Sequence, residues 1–258
     1  MNMDERLEAA MGDFFWLPGH VEIVDRAELK YVCAPEQNAL FNHVVRARLR
    51  GGAIPSAVEE VLRAHQGRIS RWTLAAPSCS DELVAALERA GYEAEEHIHH
   101  GYTCATNAYD RTPPEDVVCA RVEDIEQLRA LHRVQHHVFG DPTQPLTDAD
   151  VERELADCER VDARVARFIA KIEGEAVGAA GVTLFPEHDI AFLWAGGVRE
   201  AYRGRGVYTA LLAARIDHVR ARGISTVGLY ARTTTSGPIV QAHGFEQHGV
   251  MRAWVKAP

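Results

Sequence analysis

No stretch of this chain is apolar for the ~18 residues that a membrane-crossing helix needs. Met1 to Ala10 is charged and lacks the apolar core of a secretion signal. Positive charge is scarce: 28 Lys and Arg stand against 37 Asp and Glu, a net of -9. That balance argues against a general nucleic-acid binder, whose binding face is a basic patch. There is no C-x-x-C, and the cysteines (Cys33, Cys79, Cys104, Cys119 and Cys158) are odd in number and scattered. They read as reduced thiols of a cytoplasmic protein rather than a disulfide framework. What remains is an ordinary globular composition over 258 residues, enough for one large domain or two small ones with a sizeable core.

The most informative segment runs from Val198 through Arg203-Gly204-Arg205-Gly206-Val207-Tyr208-Thr209 to Leu212. An apolar run ends, a turn rich in Gly and Arg follows, and an amphipathic helix begins. The first amides of a helix have no intrahelical partner and its dipole adds positive potential there, so this order makes an anion site suited to a phosphate or pyrophosphate. Gly204 and Gly206 let a ligand approach the main chain, and Arg203 and Arg205 add charge. Two common phosphate loops fit poorly. A Walker A loop needs Lys-Ser or Lys-Thr after its glycines, and a dinucleotide loop needs a third Gly where Thr209 stands. Arg203 to Tyr208 resembles instead the pyrophosphate loop of the GNAT acyltransferase superfamily, [RQ]-x-x-G-x-[GA], with Arg203 first and Gly206 fourth. The sixth position, usually Gly or Ala, is Tyr208, a departure.

The surroundings support the resemblance. Asn107 to Glu115 is polar, carries Pro113-Pro114, and reads as a linker. Val117–Val122 reads as a strand, and Asp124 caps a helix with Ile125, Leu128, Leu131 and Val134 on one face. Leu146–Cys158 reads as a second helix with Thr147 as its N-cap. Strands 165–172 and 176–184 form a hairpin around Glu173-Gly174-Glu175, and 190–198 is the next strand. A helix from Tyr208 to Arg222, a strand 226–232, a short helix near Pro238 and a strand 251–255 complete the order β-α-α-β-β-β-α-β-α-β, which is that of the GNAT fold. Ala242-His243-Gly244-Phe245 resembles the family's late G-F ending.

The expected fold class is therefore α/β with a mixed sheet: a GNAT fold over residues 115–258 after a shorter domain over 1–110. In that first part, 40–49 and 56–65 read as helices, 69–75 as a strand, 81–90 as a helix and 96–105 as a strand. Leu83 to Tyr92 resembles the same G-F ending without an R-x-x-G-x-G before it, so the first domain is expected to be a degenerate copy that has lost its cofactor loop.

The resemblance implies acetyl-CoA as cosubstrate, a small-molecule primary amine as acceptor, and direct attack of the amine on the thioester. The pyrophosphate would lie on the amides of Arg205 to Thr209, Val207 and Tyr208 included, and the pantetheine arm along Gly196, Gly197 and Val198, where a free strand edge offers donors and acceptors. The family's proton donor to the leaving thiolate is often a Tyr four residues before the late Gly. Here that position is Val240, which has no proton to give, so Tyr208 and Tyr230 are the candidate acids. Glu187, His188 and Asp189 are candidate bases, equally well explained as turn residues. His136 and His137 are candidate substrate contacts. His132 with His136, and His97 with His99, lack a third ligand, so no metal is expected. A monomer or homodimer without nucleic-acid or membrane partners is expected. The alternatives are a non-catalytic acyl-CoA-binding module, a longer acyl donor, or a protein amine as acceptor.

Overall fold

The structure, a computed structural model, describes residues 1–14, 17, 19–140, 147–159 and 163–258. The chain runs α1 (Met3–Met11), β1 (Glu22–Asp25), β2 (Leu29–Cys33), β3 (His43–Ala47), α2 (Ala53–Ala64), β4 (Ser70–Leu74), α3 (Asp81–Arg89), β5 (Glu93–Ala94) and β6 (His99–Ala105). It continues with β7 (Val118–Arg121), α4 (Ile125–Phe139), α5 (Asp148–Glu159), β8 (Val165–Ile172), β9 (Glu175–Phe185), β10 (Ile190–Val198), α6 (Val207–Ala221), β11 (Thr226–Arg232), α7 (Ser236–Ala242) and β12 (Glu246–Lys256). Two compact units result. One contains 1–102, 230–241 and 246–258; the other contains 103–229 and 242–245.

In the first unit β1, β2 and β3 are antiparallel neighbours, β4 joins β3 in parallel, and β12 joins β4 antiparallel. Trp72 and Trp254 face each other across β4 and β12, at 0 % and 1 % exposure, and anchor a core that includes Leu29, Val61 and Leu87. The expected helix over 40–49 is instead a turn and β3. His43, Val44, Val45 and Ala47 are all buried, and β-branched residues covered on both faces suit a sheet interior better than a helix. Asn42 fixes the preceding turn by accepting from the Ala34 amide and donating to the carbonyls of Glu36 and Asn38. Four elements had no counterpart in the sequence reading: α1, started by a capping box of Asn2 and Glu5, the hairpin β1–β2, and the two-residue β5.

The second unit repeats the pattern. β7, β8, β9 and β10 are antiparallel neighbours and β11 joins β10 in parallel. Asp124 caps α4 by accepting from the Gln127 amide at 2.7 Å. The expected second helix is α5, Asp148–Glu159, after Thr147; Leu146 lies outside the described residues. The segment read as a linker has no regular structure but is held down in this unit. Tyr109 is 8 % exposed and stacks on His243, and Arg111 donates to the Ala242 carbonyl at 2.9 Å. Each unit therefore contains one parallel strand pair joined through a helix, β3-α2-β4 and β10-α6-β11, among antiparallel neighbours. This is a mixed α/β architecture in which the same arrangement occurs twice, and the first unit, completed by 230–241 and 246–258, is not the shortened copy expected from the sequence.

Candidate functional site

The second unit holds a fork between parallel strands. β10 pairs with β11 only at Ile190↔Thr226, Ala191↔Val227 and Phe192↔Gly228. Beyond Phe192 this edge of β10 has no partner in the ladder, while its other edge keeps pairing with β9 through Val198↔Gly178. The β9 ladder slips between Trp194 and Gly197, and Ala195 sits there at φ 47°, a left-handed angle that a residue with a side chain seldom takes. Ala195 and Gly196 drop out of the β9 ladder at this bulge, and the edge of 193–198 that faces away from β9 is left without a strand partner. Gly196 and Gly197 lie on it with opposite surroundings. A Cβ on Gly196 would meet Tyr208 at 3.1 Å, and one on Gly197 would meet Val138 at 2.7 Å and Phe139 at 2.9 Å.

Behind the fork, Glu200–Tyr202 makes one 3-10 turn, Arg203 leaves it extended, and Gly204 and Gly206 take φ 76° and 72°. Gly206 is the N-cap of α6, and no side chain caps that end. The amides of Val207, Tyr208 and Thr209 therefore open the helix without the usual Ser, Thr or Asp oxygen, the condition under which an anion is held best. Gly206 is also required by packing, because a Cβ would stand 2.4 Å from the ring of Pro114. Arg203 and Arg205 are exposed. Arg205 pairs with Asp116 at 3.0 Å across a solvent-facing gap and lies over the Tyr202 ring, a weak pair that a phosphate can replace. The site thus presents glycines at left-handed angles, uncapped amides, two cations and a free strand edge, which fits a pyrophosphate carrying an amide-bearing arm.

The candidate acids separate. Tyr208 stands in the first turn of α6 with its ring edge-on to His243 at 5.9 Å. Tyr230 belongs to the first unit, beside Gly101, and burial together with the carboxylates of Glu8 and Asp4 pushes its pKa far up. Such a phenol holds its proton tightly. Val240 is fully buried. Among the candidate bases, Asp189 accepts from both the amide and the hydroxyl of Ser225, a turn clamp. His136 and His137 lie in the last turns of α4, and His137 lines a cavity of about 360 Å³ with Arg133, Val134, Glu175 and Arg199. His132 is 8 % exposed and bonded to Glu154, which also holds Arg167. Among the described residues no group of three or more His, Cys, Asp and Glu is placed to hold a metal ion.

Two features escaped the sequence reading. Arg48-Leu49-Arg50-Gly51-Gly52-Ala53 meets the looser formula [RQ]-x-x-G-x-[GA] and stands between β3 and α2, where Arg203 to Tyr208 stands between β10 and α6. Only the stricter R-x-x-G-x-G was absent. This loop lines a cavity of about 760 Å³, but the charge at its first position and one of its amides are already answered, while Arg50 is exposed. Glu8 holds Arg48, and Glu82 accepts from the Gly51 amide at 3.3 Å. The second feature is Arg215, buried on α6. Its signal was a charged residue on the apolar face formed by Leu211, Leu212, Ile216 and Val219.

The family described as acetyltransferase (GNAT) family matches residues 126–245. A GCN5-related N-acetyltransferase from Kribbella flavida is 16 % identical with a TM-score of 0.74, over 100 % of this chain and 97 % of its own. One from Sphaerobacter thermophilus is 20 % identical with a TM-score of 0.60, over 90 % and 82 %. A tandem GNAT protein from the clavulanic acid biosynthesis pathway is 15 % identical with a TM-score of 0.62, over 97 % and 87 %. At these identities the structural likeness concerns the fold. No curated protein matches significantly.

Proposed function

We propose, from the match of residues 126–245 to the acetyltransferase (GNAT) family, that the chain moves an acyl group from an acyl-CoA, acetyl being the family's usual one, to a primary amine of a small molecule. The observation that carries this reading is the fork: β10 is freed from β11 beyond Phe192, and the uncapped start of α6 lies behind it in the sequence. The pyrophosphate rests on the amides of 205–209 between Arg203 and Arg205. The pantetheine arm pairs along Gly196 to Val198. The amine nitrogen bonds to the thioester carbon, and a bulge amide near Val198 donates to the oxygen as charge develops on it. The C–S bond then breaks, the amine's proton passes to a base or to water, and the sulfur leaves as a thiol after taking a proton. Tyr208, in the first turn of α6 beside Gly196, is the phenol assigned to that last transfer. His136 and His137 contact the acceptor. As stretches of sequence the two copies are proposed to be 1–110 and 115–258, with 230–241 and 246–258 packing into the first unit.

The first copy is silent toward CoA. Its loop arginine is neutralised by Glu8, a carboxylate occupies its amide, and Asp4, Glu5 and Glu82 line its cavity. Calorimetric titration of the chain with acetyl-CoA and with CoA tests the whole reading. The expected result is one saturable site per chain. Two sites would overturn the silent first copy, and none would overturn acyl transfer itself. Tyr208→Phe and Tyr230→Phe test the acid. A loss of turnover in Tyr208→Phe at unchanged CoA affinity supports its role, and full turnover in both variants removes both tyrosines from it.

A further inference from the structure

The less exposed arginines elsewhere among the described residues are paired with a carboxylate: Arg167 with Glu154 and Arg71 with Glu95. Arg215, 1 % exposed in the middle of α6, has none among the described residues. Its Nε donates to the Leu211 carbonyl at 2.9 Å, its Nη1 reaches the Gly181 carbonyl at 3.4 Å, and its Nη2 has no hydrogen-bond partner. The polar groups facing it are the phenol of Tyr208, placed to share a hydrogen bond with the guanidinium, the phenol of Tyr109 and the thiol of Cys119; none of them is a carboxylate. Burial keeps the last two neutral, with Tyr109 pushed up to about 12 and Cys119 to about 11. A leucine here would complete the apolar face of the helix at no electrostatic cost, whereas a guanidinium without a counter-charge is among the costliest groups to bury.

The unpartnered nitrogen has a direction. Nη2 lies 3.5 Å and Nη1 3.7 Å from where a Cβ of Gly196 would stand. Gly196 is exposed and sits in the bulge, on the part of β10 that β11 leaves free. Gly196 has no side chain to seal the guanidinium off from the fork, and the ring edge of Tyr208, 3.1 Å from the same point, stands beside that approach. A carbonyl oxygen arriving there would accept a hydrogen bond and leave the charge uncompensated. A carboxylate would satisfy both nitrogens and the charge together, the geometry for which arginine is suited.

We propose that Arg215 binds a carboxylate carried by the acyl group, so that the preferred donor is the CoA thioester of a dicarboxylic acid, of succinyl type. This rests on the acyl-CoA reading above. The transfer chemistry is unchanged: the new amide bond forms at the thioester carbon, the C–S bond breaks, and the distal carboxylate remains a spectator held by Arg215.

The test is calorimetry on the full chain with CoA, acetyl-CoA, butyryl-CoA and succinyl-CoA. Butyryl matches succinyl in chain length and lacks the carboxylate. The expected result is succinyl-CoA bound about thirtyfold or more tighter than butyryl-CoA, the scale of a buried charge pair losing one partner. That preference should vanish in Arg215→Met and survive in part in Arg215→Lys. Should the Met variant fail to fold, the wild-type comparison and the Lys variant decide, each read as the ratio of succinyl-CoA to butyryl-CoA affinity. Succinyl-CoA bound no tighter than butyryl-CoA overturns the proposal while acetyl-CoA binding keeps the enzyme reading. A preference that persists in Arg215→Met also overturns it. No binding of any thioester or of CoA overturns the acyl-CoA reading, and the proposal with it.

Discussion

Gly206 is held by two independent demands, a left-handed backbone angle and the ring of Pro114 above it. Gly206→Asp therefore combines strain with negative charge beside the pyrophosphate amides, and CoA affinity should fall about tenfold or more. Arg205→Glu reverses charge without strain. It should weaken binding with a strong dependence on salt, and calorimetry at two ionic strengths checks both. The formula for this loop was legible in the sequence because it is local. Arg215 was visible only as a misplaced charge, since its meaning depends on Gly181 and Gly196, which lie 34 and 19 positions away in the chain. His65 gives a residue-scale signal of another kind. Its ring bonds to Ser70 and to the Val32 carbonyl, and burial depresses its pKa to about 4. The unfolded chain takes up a proton near pH 6.5 that the folded chain refuses, so the stabilisation is complete above that pH and declines as pH falls toward 4. Between pH 7.5 and 5 this one residue should cost roughly 2 kcal/mol. Urea unfolding at the two pH values should show a smaller loss in His65→Gln.

At the scale of elements, periodicity located the helices and strands of the second unit because each carries one apolar face against the sheet. It failed at 40–49, where an all-buried strand reads like a buried helix, and at α1, whose stability comes from fixed partners rather than pattern. Glu8 on α1, 2 % exposed, accepts from Arg48 Nε at 2.8 Å and from the Ser78 hydroxyl, which ties the helix to the ends of β3 and β4. Glu8→Ala should destabilise the first unit by about 2–3 kcal/mol, measured by urea unfolding. On β9, the Trp194 ring lies where Gly181 has no side chain, 2.3 Å from a Cβ that would stand there, and the indole donates to Thr183 at 2.9 Å. Gly181→Ala must displace that ring, lower stability by about 1–3 kcal/mol, and change the tryptophan fluorescence.

For the molecule as a whole, the tandem arrangement was legible from two similar endings, Gly91-Tyr92 and Gly244-Phe245, and one charged loop, but the long-range pairing of β12 was not. A strand read from 251–255 alone carries no mark of its partner. β12 extends over 246–256 and joins β4 by Arg252↔Leu74 through Lys256↔Ser70, a separation that no local pattern encodes. Residues 246–258 count with the first unit although they are the last of the sequence. During synthesis the first hundred residues leave the ribosome with β4 lacking this neighbour and Trp72 lacking the indole opposite it. That unit must wait, with an open strand edge, until the final segment emerges, while everything from β7 to β11 is already available to fold. The order of folding is then the reverse of the order of translation. A chain stopped after Phe245 should yield a folded second unit beside a first one that is protease-sensitive and prone to aggregate.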